Sequence, residues 1–271
     1  MKYSILKRDA NIIIPVAKEE LKAVFPQFST IIDNTPVYLI SDINALKKRN
    51  IIAAEIGALQ EDSNADTASQ ALIGKGRNAI VMYYNRIPKY LFKHFLFHEF
   101  GHIISTSETR EIHDEVQKDM LEDNDTELRC GSALWSEMIA EVFAYRAERN
   151  EFTPYCGYAD VIIEERMDKA VNTGYLSVYD LAFYMAMFFE DPEIISFLEM
   201  HPNAAIGANH CDDEIMPLIE HLLELVYKAI NKDDFWKISR ETMEEFGKAV
   251  NEVWDYCAEK MKDALLKRLF E

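Results

Sequence analysis

Positive charge is scarce in this sequence. The chain of 271 residues carries 29 Lys and Arg against 47 Asp and Glu, which gives a formal net charge of −18. A surface of this charge repels the phosphates of nucleic acids and the headgroups of anionic membranes. We therefore expect no nucleic-acid partner and no membrane partner, and we interpret the acidity as a source of solubility.

Long apolar runs are also missing. The longest, LAFYMAMFF at 181–189, falls far short of the roughly 20 residues that span a bilayer. The first residues are MKYSILKRDANIIIPVAKEE, and their apolar triplet is interrupted by Pro15 and Lys18. A signal peptide has a longer continuous apolar core. We expect a cytoplasmic protein without a transmembrane segment.

Closely spaced cysteines are the third absence. Cys130, Cys156, Cys211 and Cys257 lie far apart in the chain, and no two of them form a CxxC pair. A zinc site made of thiolates and a disulfide-stabilised scaffold both need closer or more numerous cysteines. The sequence predicts buried thiols instead.

Strand signals are present only in the N-terminal part. TPVYLIS (35–41) is rich in the β-branched and aromatic residues that favour strands. ALIGKGRNAIVMYYN (71–85) predicts two short strands around a Gly-Lys-Gly turn. These segments predict a small sheet.

Helix signals follow almost without interruption after residue 89. At the C-terminal end, apolar residues recur every three or four positions, which is the pattern of one buried helix face. They are Met243, Phe246, Val250, Val253, Cys257, Met261, Leu265 and Leu269. The predicted fold class is α+β, with a small N-terminal sheet and a predominantly helical C-terminal half.

The segment KHFLFHEFGHIIS (93–105) contains the motif HExxH. On a helix, His98 and His102 project from one face a turn apart, and Glu99 lies about a quarter-turn to the side. Two neutral imidazoles at this spacing can bind Zn²⁺, and the neighbouring carboxylate can take a proton from a water that the metal activates. A random chain of this composition contains HExxH about once in fifty cases.

The residues around the motif are strongly apolar, which predicts a buried helix. Buried polar side chains without partners cost several kcal/mol, so His98, Glu99 and His102 must be satisfied by something. A metal ion satisfies them. The alternative is a cluster of His and Glu that is hydrogen-bonded internally and holds no metal.

A catalytic zinc site needs a third protein ligand. In the extended motif HExxHxxGxxH, a glycine and a third histidine follow the second histidine. Here those two positions are Ser105 and Glu108, so the glycine is missing and the residue type at the ligand position is wrong. The third ligand is therefore expected from another helix.

ALWSEMIAEVFAYRAE supplies two carboxylates on one helical face, Glu137 and Glu141, in an apolar context. This pattern suggests a buried helix that carries a ligand. The alternative is a solvated helix of mixed charge, on which these residues pair with Arg146 and Arg149.

HEFGH followed by EMIAEVFA resembles the gluzincin branch of the zinc metallopeptidases, most of all the intracellular ImmA/IrrE-type peptidases. The resemblance covers about 50 residues, from His98 to Tyr145. It implies that Glu137 is the third zinc ligand and that Glu141 orients a zinc-bound histidine, a role with a physical basis. Glu141 is longer than the usual Asp or Asn, so an exchange of roles between the two glutamates stays open. The helical half after residue 150 has no counterpart in the resemblance.

In zincin folds a strand beside the motif helix pairs with the extended substrate. The resemblance suggests NAIVMYY (78–84) for this role, although an ordinary core strand fits the same residues. A His or Tyr also stabilises the oxyanion in related enzymes. His210, Tyr155 and Tyr158 are candidates for this role, and their spacing does not decide among them. Asp212 or Asp213, beside His210, is better explained as a helix cap than as part of a second metal site.

These features together predict zinc-dependent hydrolysis of peptide bonds, with a peptide or protein as the substrate and Zn²⁺ as the cofactor. Residues 1–150 would form a zincin-like core, and 151–271 a helical region that completes or covers the cleft. The alternative hypothesis is that the protein is not an enzyme but a regulatory or interaction protein with a zincin fold. A third hypothesis is a metal hydrolase that acts on a non-peptide amide.

Overall fold

The structure of the chain is a computed structural model. It describes six separate positions between 178 and 189, together with the continuous ranges 4–60, 67–122, 127–148, 216–231 and 233–270.

Three short strands form the sheet, and they are β1 (Val37–Ile40), β2 (Ser69–Ile73) and β3 (Asn78–Tyr83). Their spatial order is β1-β3-β2. β1 runs parallel to β3, and β2 runs antiparallel to β3. All three strands were predicted from sequence, and the predictions are confirmed.

The turn between β2 and β3 requires glycine. A Cβ at Gly74 would lie 2.1 Å from the carbonyl oxygen of Ile56, and Gly76 has a φ of 87°. The first constraint is a close approach of two backbones, and the second is a left-handed conformation that other residues adopt at a cost. The predicted Gly-Lys-Gly turn is confirmed.

Three helices in the N-terminal part were not predicted from sequence. They are α1 (Lys7–Val24), α2 (Ser29–Asn34) and α3 (Ala45–Ile56). In α1 the buried residues are Ala10, Ala17 and Leu21, whereas Ile12 is 68% exposed. The conspicuous apolar triplet therefore does not mark the buried face, and Pro15 inside the helix further weakens the helix signal.

The later helices follow the predicted pattern. They are α4 (Phe92–Glu108), α5 (Arg110–Leu121), α6 (Glu127–Glu148), α7 (Met216–Ala229) and α8 (Arg240–Phe270). Short 3-10 helices cover Pro26–Phe28 and Lys89–Leu91. The α+β class with a mostly helical C-terminal half is confirmed. Among the described helices, none is long and apolar enough to cross a membrane.

The chain forms two compact units. The first comprises Met1–Glu108 and Val142–Arg149, and the second comprises Thr109–Glu141 and Asn150–Glu271. The predicted boundary at residue 150 stays a prediction, because residues 149 to 177 lie outside the described ranges.

The first unit is built around the sheet. Alternate side chains of a strand point to opposite faces. On β2, Gln70 accepts a hydrogen bond from Arg49 of α3, whereas the neighbouring Ser69 donates one to Glu99 of α4. α3 and α4 therefore cover opposite faces of the sheet, and α1 packs against α4.

The second unit contains a very close helix crossing. A Cβ at Gly131 of α6 would lie 1.7 Å from the carbonyl oxygen of Met243 in α8. A Cβ at Gly247 of α8 would lie 1.8 Å from the carbonyl oxygen of Glu127. The two backbones touch directly. The predicted apolar face of α8 is confirmed as far as Cys257, since Phe246, Val250, Val253 and Cys257 are buried.

Candidate metal centre

Helix α4 is buried on most of its sides. Its apolar residues with at most 1% exposure are Phe92, Leu96, Phe97, Phe100, Ile103 and Ile104. Glu99 is also buried, and His98 and His102 are half-buried. The prediction of a buried motif helix is confirmed, so its polar side chains lie largely out of water.

The two motif histidines face each other. Their Nε2 atoms lie 3.0 Å apart, the ring centroids are 4.6 Å apart, and the ring planes meet at 84°. Two nitrogens on one tetrahedral Zn²⁺ would be about 3.3 Å apart, since each Zn–N bond measures about 2.0–2.1 Å. The same separation suits an N–H···N hydrogen bond between two neutral rings. The histidine pair alone therefore does not discriminate between the two interpretations.

Glu137 is the third member of the group. The candidate ligand atoms of His98, His102 and Glu137 all lie within 4.8 Å of one another, and all three residues are half-buried. In the described part of the chain, no other three His, Cys, Asp or Glu residues meet in this way. Two imidazoles and one carboxylate match the ligand set of known catalytic zinc sites and leave a fourth position for water or substrate. The donor set thus fits zinc.

Contacts inside the first unit hold the end of α6 against α4. Nδ1 of His94 lies 3.1 Å from Oε2 of Glu148, and both side chains are buried. Phe143 packs on Phe25, with ring centroids 4.5 Å apart. These contacts tie the end of α6 to α4 and to the end of α1.

α6 is not a solvated helix of mixed charge. Leu134, Trp135, Met138, Ile139, Ala140, Val142, Phe143 and Ala144 are all buried. The alternative interpretation of this segment as a surface helix is therefore wrong. Burying the charge of a glutamate among these apolar residues costs free energy, and a bound cation lowers that cost.

The motif glutamate has a partner that sequence analysis missed. The hydroxyl of Ser69 donates a hydrogen bond to Oε1 of Glu99 over 2.6 Å, and both side chains are buried. Ser69 lies 30 residues before Glu99 and on a strand. No motif or spacing in the sequence signals this contact.

The strand beside the motif helix is β2, not the predicted one. β3, which covers most of NAIVMYY, pairs with β1 on one side and with β2 on the other. Its backbone groups are thus engaged at both edges. The prediction that this segment pairs with a substrate is wrong, and its alternative, a core strand, is correct.

The remaining predicted residues lie elsewhere. Glu141 is half-buried one turn after Glu137 and does not belong to the three-residue group. Glu108, which stands at the third ligand position of the extended motif, is exposed at the end of α4 and is also outside that group. His210, Tyr155 and Tyr158 lie outside the described residues. No role is assigned to them.

A charged side chain lies on the α1 side of α4. Nζ of Lys18 donates a hydrogen bond to the carbonyl oxygen of Thr35 over 2.7 Å and lies 5.7 Å from the ring centroid of Phe100. Burial lowers the pKa of Lys18, while the Asp33 carboxylate opposes that shift. Because its amine binds the carbonyl at the end of α2, we interpret Lys18 as a structural link between α1 and α2.

Comparisons of the chain with protein-family models, with curated proteins and with solved structures find no match. The resemblance to gluzincins therefore stays a prediction that depends on the two motifs.

Proposed function

We propose that this protein is a zinc-dependent metallopeptidase. The observation that carries the proposal is the convergence of His98, His102 and Glu137, whose ligand atoms lie within 4.8 Å of one another. Glu99, which follows His98 on the same helix, is buried. Zn²⁺, when bound, polarises the scissile carbonyl and makes a water more acidic. The ligand set is the one that the HExxH motif and the helix of Glu137 supply together.

In this proposal each residue has one task. His98, His102 and Glu137 hold the metal. Glu99 accepts the proton of the attacking water and then passes it to the nitrogen of the leaving amine. Burial of Glu99 supports this role, because bulk water does not readily compete for the hydrogen bonds of a buried carboxylate.

An extended peptide is the substrate class that we propose. β2 is an outer strand of the described sheet and lies against α4. Backbone groups at such an edge can pair with an added strand, which is a mode of recognition that depends little on side chains. The acidic net charge of −18 supports a partner other than nucleic acid or an anionic membrane.

The cytoplasm is the compartment that we propose. Cys257, one of the cysteines in the described ranges, is a buried thiol outside any disulfide, and burial raises its pKa. Such a thiol suits a reducing compartment.

The test compares Glu99→Gln with the wild type, with metal content and hydrolysis of mixed peptides as measurements. We expect both proteins to hold zinc near one equivalent, whereas the variant loses hydrolysis, because Gln cannot take the proton. Glu108→Gln, at an exposed position of the same helix, is the matched control and should keep both properties.

Two outcomes would contradict the proposal. One is less than about a tenth of an equivalent of zinc in wild-type protein after zinc is supplied, since a three-ligand site should fill near neutral pH. The other is full hydrolysis by Glu99→Gln. Zinc binding without hydrolysis of any peptide in the wild type, together with an unchanged biological effect of Glu99→Gln, would favour the non-catalytic interaction protein.

A further inference from the structure

Ser69 is the residue of the sheet that donates a hydrogen bond to the motif glutamate, Glu99. Its hydroxyl lies 2.6 Å from Oε1 of Glu99, within the range of a hydrogen bond from a hydroxyl to a carboxylate. Ser69 is 8% exposed and Glu99 is 5% exposed, so bulk water does not readily replace either partner. Hydrogen bonds to a charged group are among the stronger ones in proteins.

This bond restricts the carboxylate of Glu99. The last torsion of a glutamate side chain is broad, so the helix backbone alone does not fix the plane of its two oxygens. A donor at Oε1 selects one orientation of that plane, and this orientation also fixes the position of Oε2. Proton transfer needs a carboxylate oxygen in a fixed position within hydrogen-bond reach of the water.

The position of Ser69 in the sheet adds a second consequence. It is the first residue of β2 and pairs with Met82 of β3. Its side chain points to α4 on one face of the sheet, while the backbone edge of β2 lies in the plane of the sheet. The strand that we propose for the substrate therefore also holds the general base.

We propose that Ser69 is a positioning residue that orients Glu99 for proton transfer and fixes this carboxylate relative to a peptide on β2. The inference rests on the proposed peptidase function and goes beyond its metal ligands and its base. It differs from a purely structural role, in which the hydroxyl only satisfies a buried carboxylate and its loss lowers stability without a specific effect on turnover.

The test uses the 271-residue chain with Ser69→Ala or Ser69→Thr, and Ser107→Ala, at an exposed position of α4, is the matched control. Zinc per chain, kcat and KM for a peptide substrate are measured for each protein. For Ser69→Ala we expect kcat to fall by about 10–100-fold, which corresponds to the loss of one hydrogen bond to a charged group. KM should stay within about twofold and zinc content should not change. Thr keeps the hydroxyl and should restore most of kcat.

A second measurement does not depend on activity. The melting temperature of the metal-free protein is compared for Ser69→Ala, Glu99→Leu and the double variant. Leucine cannot accept the hydrogen bond, and residues in direct contact give non-additive effects. We expect Ser69→Ala to lower the melting temperature by several degrees in the wild-type background and by much less in the Glu99→Leu background.

The outcomes separate this inference from the proposed function. Unchanged kcat in Ser69→Ala, a loss that Thr does not restore, or a change confined to KM or to zinc content would each overturn the positioning role while the peptidase stands. Additive melting temperatures would overturn the contact itself. A wild-type chain that binds zinc and cleaves no peptide overturns the peptidase and, with it, the positioning role.

Discussion

Helices α4 and α8 use apolar residues in different ways. α8 buries one face, with Phe246, Val250 and Val253 inside and Lys248 exposed. α4 is buried on most sides and still carries His94, His98, Glu99 and His102. A one-faced helix is explained by packing alone. Polar groups in a helix that is buried on most sides require partners, and this requirement indicates a functional site.

The comparison predicts that substitutions in the two helices affect different properties of the protein. Substitutions in α8 should lower the stability of its unit. Substitutions of the polar residues of α4, or of their partner Glu137, should change metal binding or turnover more than folding.

The largest effect is expected at the crossing of α6 and α8. A Cβ at Gly247 would lie 1.8 Å from a backbone oxygen of α6, and backbone cannot move aside as a flexible side chain can. We expect Gly247→Val to destabilise the protein by at least about 4 kcal/mol, the range of the most severe packing defects. Chemical denaturation measures the change.

Lys248→Ala, at the exposed neighbouring position, is the control and should shift the unfolding free energy by less than about 0.5 kcal/mol. A Gly247→Val protein as stable as the wild type would show that the two helices do not cross as closely as described.

The next effect separates Glu137 from Glu141. Glu137→Gln replaces one of three proposed ligands by a neutral amide, which is a poor ligand for zinc. Glu141→Gln can still accept a hydrogen bond from an imidazole N–H, and changes around a ligand set typically cost 10–100-fold in affinity. We therefore expect Glu137→Gln to lose zinc to a chelator at a much lower chelator concentration than Glu141→Gln.

Melting temperatures of the two metal-free variants provide the control. If the substitutions weaken metal binding and not folding, both melting temperatures should stay close to that of the metal-free wild type. If Glu141→Gln releases zinc and Glu137→Gln retains it, the two roles are exchanged. If both retain it, the third ligand lies elsewhere.

The sequence predicts the parts of this molecule that depend on local pattern. Strand composition and the Gly-Lys-Gly turn identify the sheet, and the HExxH spacing identifies the pair of His98 and His102. The resemblance to gluzincins, not spacing, singles out Glu137, which lies in one group with the two histidines. The order of the strands does not follow from local pattern, so β3 was assigned an edge role that its two partners exclude. The contact between Ser69 and Glu99 depends on how the sheet meets α4, which no local signal encodes.

The smallest effect concerns a histidine of the second unit that has no part in the metal group. Burial lowers the pKa of His113, the nearby Arg110 adds to the shift, and Asp114 opposes it. Between this lowered folded-state pKa and the ordinary value of 6.5, the unfolded chain binds more protons than the folded one. Stability should therefore rise with pH through that window and fall as the pH drops through it.

His113→Gln should remove this part of the acid sensitivity. The measurement is the melting temperature of the metal-free protein between about pH 7 and about pH 5, where histidines titrate. We expect a smaller decrease on acidification in the variant than in the wild type, by a few degrees at most. His221→Gln, which replaces a histidine at an exposed position of α7, is the matched control. Identical curves for His113→Gln and the wild type would mean that His113 is charged as readily in the folded chain as in the unfolded one.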